Sequence, residues 1–186
     1  MRLLVVADQA PHLPLPALVR AHAPDAVVTL GDLAADVLDP LWRYEVPILG
    51  VYGNHDDGRY LGAANTTDLH LATATLGGLT FTGFQGCVRY KRGAPLQYSQ
   101  REASRLARGL PRADVLVTHS PPRGVHEEPG DRAHEGFDGL RAYVEAVQPR
   151  LHLHGHTPAP PRATVRIGAT PVMHVVGHRL VELPGG

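Results

Sequence analysis

Apolar positions along this chain come in short runs, and several of those runs stop on a residue able to bind a metal ion or move a proton. RLLVVAD, residues 2–8, reads as a buried strand closing on Asp8, and PALVRAHA then carries helical spacing up to Pro24. DAVVTLGD repeats the strand form and closes on Asp32. VLDPLWRYE reads as a short helix before PILGVYGNHDD, whose strand leads to Asn54. Residues 69–84 alternate as a hairpin around Gly77 and Gly78, and SQREASRLARGL is a helix closed by Gly109 and Pro111. ADVLVTHSPP is a further buried strand, ending on His119. A polar loop from Arg123 to Glu135 leads to an amphipathic helix, FDGLRAYVEAVQ, then to the strand RLHLHGH and two or three closing strands over residues 162–183. Strands alternating with helices predict an α/β fold, and no internal repeat or low-complexity linker interrupts the pattern.

Composition narrows what such a fold does. At 186 residues, 43% hydrophobic and 19% charged, the chain is long enough for one well-buried core and short for two, so a single domain over residues 1–186 is expected. Eighteen basic residues balance eighteen acidic ones, which gives no strong signal for nucleic acid or for an anionic membrane. Any ligand is then chosen locally. Cys87 is the single cysteine, so a metal here is expected on oxygen and nitrogen ligands, which selects against a structural zinc. No apolar run reaches membrane-spanning length and no signal-peptide core precedes MRLLVVADQ, so a cytoplasmic location is expected.

The chemistry gathers at strand ends. In α/β sheets functional groups collect in the crevice beyond the carboxyl ends of the strands, because the rest of each strand is buried. Here those ends deliver Asp8, Asp32, Asn54 with His55, His119, and the stretch LHLHGHTPAP with His152, His154 and His156. One aspartate after a strand reads as readily as a turn or helix cap. Five polar ends, all of ligand type, point jointly to a metal. Residues two apart on a strand share a face, so several of the three histidines can meet one ion if further ligands come from elsewhere.

With these motifs in place the chain resembles a calcineurin-like metallophosphoesterase. That family carries D-x-H, G-D, G-N-H-[DE], a strand-end His and G-H-x-H. This sequence has Asp8, Gly31-Asp32, Gly53-Asn54-His55-Asp56, His119 in THSPP, and Gly155-His156, in the same order over nearly its whole length. The resemblance implies a four-layer αββα sandwich, two mixed β-sheets flanked by helices, with two divalent ions at the strand ends. Mn²⁺ is the ion expected, with Fe²⁺, Zn²⁺ and Ni²⁺ as alternatives. It places one ion on Asn54, His119 and His156, and makes Asp32 the carboxylate shared by both. The other ion is left with Asp8, because Ala10 and Pro158 stand where the family has histidines. One tight ion and a second, weaker one are therefore expected. Three roles stay open for His154: replacing a missing imidazole, acting on substrate phosphate, or covering the sheet.

The implied activity is hydrolysis of a phosphodiester or small phosphomonoester by a metal-activated water, with His55 as the general acid, and Asn54, His55 and His134 facing the substrate. Asp56 is read as orienting its loop. Arg123 can pair with phosphate through its forked guanidinium, although a bystander role fits as well. The alternative is a degenerate member that binds metal or a phosphorylated ligand with little or no turnover. A protein phosphatase is disfavoured by the small size.

Overall fold

The apolar runs pair into two sheets, seen in a computed structural model that describes residues 1–38, 40–41, 45–63 and 65–184. The first sheet holds strands β1 (Arg2–Ala7), β2 (Ala26–Thr29), β3 (Ile48–Gly50), β4 (Thr66–Asp68) and β13 (Gly177–Glu182), in the order β13-β1-β2-β3-β4. All its pairs are parallel except β1 with β13. The second holds β5 (Thr73–Leu76), β6 (Leu79–Phe84), β9 (Val115–Thr118), β10 (Leu151–His154), β11 (Thr164–Ile167) and β12 (Thr170–His174), in the order β11-β12-β10-β9-β6-β5. Its centre is parallel and its two edge pairs are antiparallel. A short parallel pair, β7 (Cys87–Val88) with β8 (Gln97–Tyr98), lies apart from both.

Strand alternation explains the layers. Leu3, Val5, Val28 and Val51 from the first sheet form one buried cluster with Phe81, Val115, Val117, Leu151 and Leu153 from the second, so the sheets pack face to face. The opposite parity of the first sheet, Leu4, Val6 and Val27, packs on Leu15 and Leu18 of helix α1 (Leu15–His22) and on Leu38 of α2 (Ala35–Leu38). The outer face of the second sheet packs Leu116 and Val172 on α3 (Gln100–Ala107) and α4 (Asp138–Val147). Helices, sheet, sheet, helices is the four-layer α/β sandwich that the resemblance implies.

Local chemistry set most boundaries as read. Gly77 and Gly78 both take positive φ, as a tight hairpin turn requires, between Leu76 and Leu79. Ser99 caps α3 in a reciprocal capping box with Glu102. The helix expected over VLDPLWRYE begins earlier, at Ala35; Asp39 and residues 42–44 lie outside the described residues. Strand β4 and the β7–β8 pair carry too little apolar alternation to have been read from the sequence. Among the described residues no helix is long and apolar enough to cross a membrane.

Candidate metal centre

Both sheets turn their carboxyl ends toward the same edge, and the chain there is bent into unusual backbone. Asp8, Asp32 and His156 all take positive φ, at 61°, 53° and 70°. Such φ values are uncommon outside glycine and concentrate where the fold over-determines a side-chain position. The glycines beside them allow close approach. A Cβ on Gly31 would stand 2.2 Å from the Gly53 nitrogen, and one on Gly155 would stand 2.5 Å from Asp8 Oδ2. Three loops thus meet around two carboxylates.

Asp32, His119 and His156 bring one ligand atom each within 4.8 Å of one another. His119 is fully buried. Its Nδ1–H donates to the Leu30 carbonyl at 2.7 Å, which leaves Nε2 as a lone pair 3.1 Å from Asn54 Oδ1 and 3.5 Å from Asp32 Oδ2. His156 donates Nε2–H to the Ala133 carbonyl at 2.7 Å, leaving Nδ1 as its lone pair. Metal-binding histidines are commonly held by such an outward N–H bond, which fixes the tautomer and aims the other nitrogen. In the metal-free protein a proton on His119 Nε2 can satisfy Asp32 and Asn54; a cation in its place would meet a mixed oxygen and nitrogen set that suits Mn²⁺, Fe²⁺ or Zn²⁺.

The protonation equilibria agree. Burial pushes His119 down, but the hydrogen bond and charge of Asp32 outweigh it and raise His119 above its ordinary value. Burial pushes Asp32 up, yet His119 and the His55 N–H hold it at about 2. Burial raises Asp8 to about 6, partly offset by the charge of His119 and by the His156 N–H on its carboxylate. Burial drives His156 down to about 3, keeping it neutral and fit to bind an ion.

The neighbours of the cluster fall into place around it. Asp32 Oδ1 accepts the His55 N–H at 2.8 Å, while the His55 side chain is exposed at the edge of the cleft. Asp56 accepts N–H bonds from Asp32, Leu33 and Gly53 at 2.9, 3.1 and 2.6 Å, so it ties two ligand loops together, as its position in GNHD suggested. His134 lies with its ring 5.1 Å from that of His156 and donates to Asp131 at 2.8 Å. Arg123 faces carboxylates, Glu135 at 3.0 Å and Glu127 at 3.6 Å.

The triple-histidine stretch divides. Leu151 and Leu153 face the other sheet, so His152 and His154 share the outer face, as period two demands. His152 Nε2 bonds Thr118 Oγ1 at 2.8 Å; His154 Nε2 faces His126 Nδ1 at 2.8 Å, and its Nδ1 faces the Gly155 carbonyl at 3.1 Å. His156 joins the cluster because the strand has ended and its backbone has turned. His154 is thus engaged on the helix side of the sheet, away from the ligand group of Asp32, His119 and His156. Three contacts had no signature in the sequence: the Leu30 and Ala133 carbonyls that aim the imidazoles, and Tyr90, whose hydroxyl accepts from Asn54 Nδ2 at 3.4 Å.

The chain is similar to known proteins to different extents. A family model described as the calcineurin-like phosphoesterase superfamily domain matches residues 1–176. UPF0046 protein K07C11.7 of Caenorhabditis elegans is 34% identical over 105 residues, 54% of this chain but 34% of that protein's length. The chain thus spans about a third of that relative. In fold, it is similar to the crystal structure of TT1561 of Thermus thermophilus, with a TM-score of 0.67 over 93% of this chain and 88% of that one, at 15% identity.

Proposed function

Because the chain belongs to the calcineurin-like phosphoesterase superfamily, we propose that it is a metal-dependent phosphoric ester hydrolase acting on phosphodiesters or small phosphomonoesters. The observation that carries this reading is the convergence of lone pairs from Asp32, Asn54 and His119, with His156 beside them, under an exposed His55. Asp32, Asn54, His119 and His156 hold a divalent ion, and Asp8 with the shared Asp32 holds a second, more weakly. Ions bound there supply positive charge for the phosphoryl oxygens and lower the pKa of a nearby water. In the shared role Asp32 would use Oδ2, on the His119 side, because Oδ1 is held by the His55 N–H. His55 follows a ligand directly and stays open to solvent, which lets its imidazole protonate a departing oxygen; a positioned donor of this kind contributes roughly 10²–10⁴ in rate.

The test is hydrolysis of bis-p-nitrophenyl phosphate and p-nitrophenyl phosphate with Mn²⁺, Mg²⁺, Zn²⁺ and Ni²⁺, alongside ion counts. His55→Ala should keep its metal and lose at least about tenfold in turnover. Asn54→Ala and His119→Ala should lose the tight ion itself. Loss of metal in His55→Ala would make His55 a ligand and overturn its assignment as acid. A second reading rests on Ala10 and Pro158: a protein that binds metal or a phosphorylated ligand without turnover. Tight metal binding with no hydrolysis under any of the four ions would favour it.

A further inference from the structure

His154 leads to a second group of imidazoles on the outer face of the second sheet. His126, His154 and His174 have ring centroids 5.0, 5.4 and 6.0 Å apart in the pairs 126–154, 154–174 and 126–174. Each ring has one nitrogen against a backbone carbonyl: His126 Nε2 on Arg162 at 2.9 Å, His154 Nδ1 on Gly155 at 3.1 Å, and His174 Nε2 on Thr157 at 2.8 Å. A carbonyl only accepts, so those three nitrogens carry the hydrogens. The remaining nitrogens are then bare. His126 Nδ1 and His154 Nε2 consequently point lone pairs at one another across 2.8 Å. Two lone pairs at that distance repel unless a proton or a metal cation lies between them.

We propose that His126, His154 and His174 form a zinc site, separate from the strand-end centre, that fastens the loop over residues 123–136 to strands β10 and β12. Outward N–H bonds to carbonyls are the usual support of metal-binding histidines, and an all-imidazole set favours Zn²⁺ over the hard cations that carboxylates select. With Zn–N at about 2.0–2.1 Å, two bound rings at a tetrahedral angle have centroids about 5.2 Å apart and nitrogens about 3.3 Å apart. The observed rings stand close to that spacing, so the 126–154 pair opens by roughly half an ångström. His174 needs a small rotation as well, since among the described residues its trio does not yet bring one nitrogen of each within 4.8 Å. A surface depression of about 180 Å³ borders His174, and another of about 380 Å³ borders His126, giving that ring room and the ion a path in.

Such an ion acts on the neighbouring centre through the chain. His126 lies in the loop whose Ala133 carbonyl aims His156, and His154 lies two residues before His156. Zinc across them fixes both supports of that ligand.

The experiment counts ions and so stands apart from any question of turnover. Metal-free wild type and His126→Gln are titrated with Zn²⁺, with bound zinc measured by elemental analysis and melting followed by circular dichroism. His126 is half-buried on a loop, so its substitution leaves the sheets intact. Wild type should bind one more zinc per chain than His126→Gln and gain more in melting temperature from it. His174→Gln should weaken that ion at least tenfold. The same difference should persist on a His119→Ala background, where the strand-end centre has lost a ligand. Equal zinc counts and equal melting shifts in wild type and His126→Gln would overturn the proposal, and would leave a shared proton between the two rings.

Discussion

At the scale of single residues, the two aspartates of the cleft carry opposite burdens. Asp32 has His119 against it and stays ionised, whereas Asp8 is pushed to about 6 by burial. A carboxyl raised in the folded state stabilises the fold below its unfolded value of 3.8 and loses that contribution as pH rises through about 6. In metal-free protein at neutral pH, Asp8 is therefore a destabilising charge. Asp8→Asn should stabilise that form at pH 7, on the order of 1–3 kcal/mol, with little gain at pH 4. Denaturant unfolding at both pH values checks this; equal gains would show that ionisation is not the cause. The same substitution should weaken the second ion, because it removes the only carboxylate that ion does not share. Wild-type affinity for that ion should fall as pH drops from 7 to 5, since a proton then competes for Asp8.

At the scale of elements, the turns after β1, β2 and β10 matter more than the strands. Each throws a candidate ligand residue into positive φ, and glycines let the turns approach to contact distance. Gly31 has φ +95° and no room for a Cβ against Gly53. Gly31→Ala should cost about 2–4 kcal/mol and reduce metal affinity together with stability, because the strain acts on the turn that presents Asp32. Thermal melting and ion titration of the same sample test the coupling. Lost stability with unchanged affinity would mean that Asp32 is held independently of its turn, by Asp56 and the His55 N–H.

At the scale of the whole molecule, one crevice receives candidate ligands from both sheets: Asp8, Asp32 and Asn54 from beyond the first, His119 and His156 from beyond the second. Ala10 and Pro158 would leave a second ion fewer neutral ligands than the resemblance implies. Activity should rise with added metal after the first ion is bound, and Ala10→His with Pro158→His should raise the affinity of the second ion; calorimetric titration reads both. A wild type holding two ions tightly at the strand ends would mean that a ligand beyond Asp8 and Asp32 completes the second site. The sequence by itself determined most of the order of strands and helices, though not β4, β7 or β8, along with the glycine hairpin, the capped helix and the identity of the strand-end residues, because alternation, capping and turn chemistry are local and leave their mark within a few positions. Parity also told that His152 and His154 share a face. Which face that is, and that His156 leaves the strand to join a different cluster, depended on how the two sheets stack and on a positive φ at one residue. The carbonyls of Leu30, Ala133 and Arg162, which decide the nitrogen each histidine offers, belong to the backbone every residue shares. Only the tertiary structure sets them against an imidazole from elsewhere in the chain.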